Sequence, residues 1–295
     1  MEEQMTKALA FLKQDLQLEE EAAELYARQA AEIEVGWLRK LFLENVADEE
    51  AHAAVFRYAI ERVEYSASNP TVSTGLDELD DVLYGGIPAG YAVVLVAPPL
   101  DERDLIVESF LLQGVDREET VLLASPRLRG VFAELVTAKP ETFYLFLCSP
   151  RVDSVAHEWQ NVVPFPQLDL TQFNIRMDAL LHDLSERGRT LDRVVLDVLS
   201  DALLIHEPTT VRRWLRDLLQ MLKAAHATVV SLIDPGMSSR DATRAVLDLF
   251  DGHFDVEERA VDGRMERTLT VRRLYGKKYL ETTVVLRREN LTRRR

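Results

Sequence analysis

Ala92-Val93-Val94-Leu95-Val96 is an unbroken run of β-forming apolar residues, and four more such runs follow it. They are residues 120–124, Phe143–Cys148, residues 193–197 and Thr228–Ile233, with amphipathic helical stretches filling the intervals. Strand, helix and strand in succession predict a parallel sheet covered by helices. The end of the chain differs. Residues 268–271 and 282–287, joined through Leu274-Tyr275-Gly276-Lys277-Lys278, read as antiparallel strands. The α/β region is therefore expected over 73–288, mainly parallel with antiparallel strands at its C-terminal end.

Upstream, the pattern is helical. Residues 4–34 lack proline and glycine and are rich in Ala, Leu, Glu and Gln, which predicts one long helix. Gly36 is the expected break, and 37–64 repeats the same character as a second helix. A short break between two long helices makes an antiparallel hairpin. Ser66-Ala67-Ser68-Asn69-Pro70 reads as its end. The expected division is a multidomain chain: an all-α hairpin at 1–65, a linker at 66–72, the α/β domain at 73–288 and a basic tail at 289–295.

Charge follows the same division. The 295 residues carry 35 basic and 50 acidic side chains, a net of −15. Residues 1–65 alone hold 15 acids against 7 bases, whereas the last nine residues hold five arginines and one glutamate. An overall acidic chain is a poor match for phosphate backbones, so no nucleic-acid partner is expected. Cys148 is the only cysteine, which excludes an internal disulfide and a thiolate metal site. No stretch of about 18 apolar residues is present, so no membrane span is expected. The start Met1-Glu2-Glu3-Gln4 is acidic where a secretion signal needs a basic flank. The expected location is the cytoplasm.

The inward stripes of the two helices carry polar groups. Leu12, Leu16, Ala22, Ala23, Tyr26, Ala30 and Ile33 recur at spacings of three and four, and Glu19 shares their stripe. Leu38, Leu41, Phe56 and Ile60 define the second stripe, with Asn45, Glu49 and His52 on it. A carboxylate on a buried face is costly unless paired, and Glu49-Glu50-Ala51-His52 places a carboxylate and an imidazole on one helix face. Two carboxylates and one imidazole on facing stripes suggest a cation between them, with iron or manganese suited to such hard donors. With Glu19-Glu20-Glu21-Ala22-Ala23-Glu24-Leu25-Tyr26 and Asp48-Glu49-Glu50-Ala51-His52, the hairpin resembles the rubrerythrin and ferritin-like family. The resemblance implies Glu19, Glu49 and His52 as metal ligands and Tyr26 beside the metal. That family's di-iron site takes four helices, and one hairpin is half of that. A full site implies a homo-oligomer, at least a dimer, with the metal at a hairpin–hairpin interface.

A second resemblance covers roughly residues 70–288. Ser73-Thr74-Gly75-Leu76-Asp77-Glu78-Leu79 and Gly85-Gly86-Ile87-Pro88-Ala89-Gly90 are similar to the segment that opens the ATPase domain of the KaiC and RadA branch of the RecA superfamily. Arg193-Val194-Val195-Leu196-Asp197-Val198-Leu199-Ser200 resembles its Walker B strand, with Asp197 in the acidic place. Yet the phosphate loop reads Ala97-Pro98-Pro99-Leu100-Asp101-Glu102-Arg103-Asp104. Glycines are absent, Arg103 stands in the place of lysine, and Asp104 stands in the place of the hydroxyl that binds Mg²⁺. Ala124-Ser125-Pro126 takes the place of the water-activating acids, and Arg273-Leu274-Tyr275-Gly276 that of the family's Lys-x-Arg-Gly finger.

Like charges about 4 Å apart cost about 4 kcal/mol at an effective dielectric near 20, so no ATP binding is expected at that degenerate Walker A segment. The combined expectation is a non-hydrolytic regulator or scaffold on an inactivated KaiC-like domain, dimerising through a metal-binding hairpin and open to a protein partner. Two alternatives stand beside it: a di-iron oxidase, peroxidase or ferroxidase formed by paired hairpins, and a residual nucleotide-binding protein.

Overall fold

The computed structural model describes residues 2–128, 130–149, 159–261 and 264–288. The arginine-rich tail expected at 289–295 lies outside them. The chain divides into two compact units, Met1–Pro70 and Thr71–Arg295.

The first unit is a hairpin of α1 (Glu2–Glu32) and α2 (Gly36–Ser68). Gly36 does not break the helices but begins the second one. The extended residue is Val35, whose carbonyl accepts from Arg39 N–H at 2.9 Å and closes the first turn of α2. Of the stretch expected as a linker, residues 66–68 are helical. The Ser68 hydroxyl and the Asn69 amide donate to the carbonyls of Glu64 and Tyr65, which extends the last turn before Pro70. The seam runs at spacings of three and four. On α1 it comprises Leu9, Leu12, Leu16, Glu19, Ala23, Tyr26 and Ala30, and on α2 Leu38, Phe42, Asn45, Glu49, Ala53, Phe56 and Ile60. Ala30 and Ala53 are buried where the backbones approach. Leu41, expected inside, is exposed, and Phe42 takes its place against Tyr26 with ring centroids 6.2 Å apart.

The second unit is built on a nine-stranded sheet in the order β11-β10-β9-β3-β8-β7-β4-β5-β6 among the described residues. All five apolar runs are strands: β3 (Ala92–Val96), β4 (Val121–Ser125), β5 (Phe143–Cys148), β7 (Arg193–Leu196) and β8 (Thr228–Ile233). They are parallel, as are β6 (Val162–Phe165) against β5 and β9 (Gly252–Val261) against β3. At the other end, β10 (Arg264–Leu274) and β11 (Thr283–Val285) are antiparallel, as expected. A separate pair, β1 (Thr71–Val72) and β2 (Ile87–Pro88), precedes β3.

Alternation along the central strands supplies two cores. Val93, Leu95, Leu123, Leu145, Val195 and Leu232 face one layer. That layer holds Ile106, Phe110 and Leu111 of α4 (Asp101–Asp116) and Phe132 of α5 (Gly130–Ala138). Val94, Leu122, Phe146, Val194 and Val229 face the other. There they meet Phe173 of α6 (Leu170–Glu186), Leu203 of α7 (Leu199–Ile205), Trp214 and Leu218 of α8 (Pro208–Ala224) and Val246 of α9 (Arg240–Leu247). Burial on both faces is why these strands read as continuous apolar runs.

The motif ahead of β3 has a structural task. Asp80 of α3 (Asp77–Val82) accepts from Ser73 Oγ at 2.5 Å, Thr74 N–H at 2.7 Å and Thr74 Oγ1 at 2.7 Å, which fixes the turn at Ser73-Thr74-Gly75. Gly86 has φ +128°, and a Cβ there would meet the Val72 carbonyl oxygen at 2.3 Å, so only glycine lets β1 pair with β2. Arg193, fully buried at the start of β7, donates to the carbonyls of Ser73 at 2.6 Å and Phe110 at 2.9 Å. It pairs with Glu119 and lies 4.9 Å from the Phe110 ring centroid.

Candidate functional site

The hairpin gathers three expected ligands. Glu19, Glu49 and His52 each offer a ligand atom within 4.8 Å of the others. His52 Nδ1 lies 3.4 Å from Glu49 Oε2 and 3.8 Å from Glu19 Oε2. The two glutamates sit in the seam, while His52 stands at its edge and is largely exposed, not inside as its stripe suggested. The reason is helical drift: after Glu49 the inward position falls on Ala53, one residue later. Glu19's carboxyl is held above its usual range, first by a hydrogen bond shared with Glu49, then by desolvation and the Glu49 charge, with His52 opposing. Two carboxylates converging on one imidazole form a donor set that can in principle hold a cation, with oxygen predominating. Tyr26 lies two turns beyond Glu19, about 10 Å along the axis, with its ring on Phe42.

The flanks of the seam differ. Lys13 pairs with Glu64 at 2.7 Å and Arg57 with Glu20 at 2.8 Å, which marks one flank. The other flank presents Phe11, Leu18 and Leu25, seven residues apart on α1, and Leu41 and Val55 on α2, all exposed. By helical spacing, His52 belongs to this apolar flank.

In the α/β unit, β3 runs into Ala97-Pro98-Pro99-Leu100 and then α4. This loop has no backbone donor to spare. Ala97 N–H donates to Ile233 O at 2.9 Å and Leu100 N–H to Pro98 O at 2.8 Å, while the prolines carry none. Asp101, Glu102 and Asp104 occupy the first turn of α4. Glu102 is buried, and its Oε1 accepts from Arg267 at 3.2 Å and from Arg288 at 3.3 Å. Arg288 also pairs with Asp101, and Arg267 with Glu258 at 3.0 Å. Arg103 is buried beside Asp104, 3.4 Å from its Oδ1. The first turn of α4 thus carries the chain's own carboxylates, favourably set at a helix N-terminus, with Asp101 and Glu102 held by Arg267 and Arg288. Arg267 and Arg288 escape a reading of the sequence, because nothing local links them to Glu102.

The remaining positions are also tied internally. Asp197, after β7, donates its N–H to Ala124 O at 2.8 Å and accepts from Ser125 Oγ at 3.3 Å. Arg273 donates to the carbonyls of Leu247 and Phe250 at 3.1 and 2.8 Å, stapling the end of α9 to β10.

Comparison with known proteins bears on this α/β unit. A KaiC-like protein from the hyperthermophilic archaeon Pyrococcus horikoshii OT3 has a similar solved structure, with a TM-score of 0.53 and 15% sequence identity; the match covers 74% of this chain and 94% of that one. At that identity the likeness is one of fold. No curated protein matches the chain. No helix among the described residues is long and apolar enough to cross a membrane. A family model described as a family of unknown function, DUF7125, matches residues 71–292, and the chain belongs to that family.

Proposed function

We propose that this protein is a non-hydrolytic regulator or scaffold, in which a KaiC-like module stripped of nucleotide machinery is joined to a ferritin-like hairpin that pairs two copies around metal. The observation that carries this reading is the Glu19, Glu49 and His52 cluster beside the exposed stripe of Phe11, Leu18 and Leu25. Three side chains are half of the four carboxylates and two imidazoles that a two-metal site takes. A second hairpin laid on the same flank would cover the apolar stripe and bring three more. The three side chains fit a hard divalent metal; when bound, iron would supply redox chemistry, and this chain's part is to hold it with two carboxylates and one imidazole.

Metal analysis and sedimentation of the purified full-length protein test this together. About one iron or manganese per chain is expected, lost in Glu49→Ala and in His52→Ala, with a dimer that dissociates in Leu18→Glu. A metal-free monomer would refute the reading. The oxygen-rich donor set also favours a second reading, a di-iron oxidase, peroxidase or ferroxidase. Consumption of dioxygen or peroxide by the iron-loaded dimer, absent in Glu49→Ala, would select it over the regulator.

The filled loop gives a separate expectation. With two prolines in the loop and the first turn of α4 occupied by Asp101, Glu102 and Asp104, calorimetric titration with ATP and Mg²⁺ should show no binding in the micromolar range. Micromolar affinity would overturn the non-hydrolytic part of the proposal while leaving the hairpin's part standing.

A further inference from the structure

A different cleft of the α/β unit is unconnected with the altered phosphate loop. Strand order places it. The chain leaves β4 towards β5 and β6, whereas it leaves β7 in the opposite direction, towards β8. Adjacent strands whose connections diverge open a crevice at their carboxyl ends, which is where open α/β sheets bind ligands. Here the crevice widens into a cleft of about 710 Å³ lined by Pro126 after β4, Cys148 at the end of β5, Asp201 and Ile205 of α7, His206 and Thr210. That size suits a small molecule. β3, with the altered loop, is three strands from β4, about 14 Å across the sheet.

The chemistry of the walls narrows the ligand. Asp201 is half-buried and accepts no hydrogen bond among the described residues; the exposed Arg127 acts on it only through space. Burial pushes its carboxyl above the usual range, with the Arg127 charge opposing, so folding has partly desolvated a carboxylate to which no side chain donates among the described residues. Asp169, also in the lining, spends its Oδ1 on Thr171 N–H and Gln172 N–H as the cap of α6. His206 Nε2 lies 3.0 Å from the Leu168 carbonyl and donates to it. Burial raises the Cys148 thiol to about 12, and Asp201 adds to this, so the thiol stays neutral and supplies no nucleophile. Pro126, Pro166, Leu168, Leu170 and Ile205 add apolar surface, and Gln167, Thr171 and Thr210 add neutral polar groups. An anionic ligand would meet two carboxylates there, and a neutral one would leave Asp201 without a counter-charge.

We infer that this cleft binds a small organic cation, an ammonium or amidinium on a compact apolar body, with Asp201 as its counter-charge. The probe is phenethylamine, set against 2-phenylethanol, which has the same body without the charge. Both are titrated into the full-length protein and followed by ligand-observed NMR and by calorimetry. The amine should bind at least about tenfold more tightly than the alcohol, as a charge-assisted hydrogen bond requires. Asp201→Asn should erase that difference. Ile205→Trp alters an exposed side chain at the cleft and should weaken both probes without lowering the melting temperature. Equal binding of amine and alcohol, amine binding that survives Asp201→Asn, or no binding of either would overturn the inference. If Asp201→Asn fails to fold, the Ile205→Trp protein decides: undiminished amine binding there places the amine elsewhere and sinks the proposal.

Discussion

Arg193→Met will lower the unfolding free energy of the protein by about 3 kcal/mol, a large part of the 5–15 kcal/mol that folded domains usually hold. The side chain is fully buried, and its guanidinium joins three parts of the α/β unit: the turn at Ser73, the helix α4 at Phe110, and Glu119 ahead of β4. Methionine fills much of the volume but donates nothing. One buried carbonyl, one part-buried carbonyl and one carboxylate lose their donor, and removing one member of a buried pair costs about 3–5 kcal/mol. Glu119 retains some contact with water, which argues for the lower end. Arg193→Lys keeps the charge but not the planar fork, so it should recover less than half of the loss. Urea unfolding checks this through the midpoint at constant slope. A midpoint within experimental scatter of the wild-type value would show that the Arg193 contacts contribute nothing net.

Asp80→Ala ranks second, at about 2–3 kcal/mol. Three donors converge on one carboxylate, and Thr74, which supplies two of them, is buried. Each lost neutral bond is worth about 1 kcal/mol, and an orphaned buried donor costs more. The same residue gives a pH signature. Desolvation holds the Asp80 carboxyl above its ordinary value of 3.8, although its hydrogen bonds with Ser73 and Thr74 oppose this. A group whose folded pKa is raised contributes stability that is fully present below the unfolded value and is lost as pH rises through the folded value. The advantage of the wild type over Asp80→Asn should therefore be greatest in acid and shrink towards neutrality. An advantage that grows with pH would mean the hydrogen bonds outweigh burial.

Much of the α/β architecture was legible because its strands are apolar on both faces and separated by helical stretches. β6 is not among the expected strands: Pro164 interrupts the short run Val162-Val163-Pro164-Phe165, and a proline fits there because β6 is the outermost strand among the described residues. Arg193 went unnoticed because arginine in a sequence suggests surface. In the hairpin, the spacing of Glu19, Glu49 and His52 correctly brought the three together. It overstated how far inside His52 lies, because the pattern was carried along α2 without the shift that puts Phe42 and Ala53 inward. The role of Glu102 was out of reach, since Arg267 and Arg288 meet it only after β10 and the segment following β11 return across the sheet.

The ends of the nine-stranded sheet limit how copies of this protein can aggregate or polymerise. At one end β6 exposes a rim interrupted by Pro164, which has no N–H to offer; at the other, β11 is only three residues long. Among the described residues neither outermost strand is a long template for a foreign strand. Within the described residues, the two outermost strands of this wide sheet therefore offer little backbone for edge-to-edge growth.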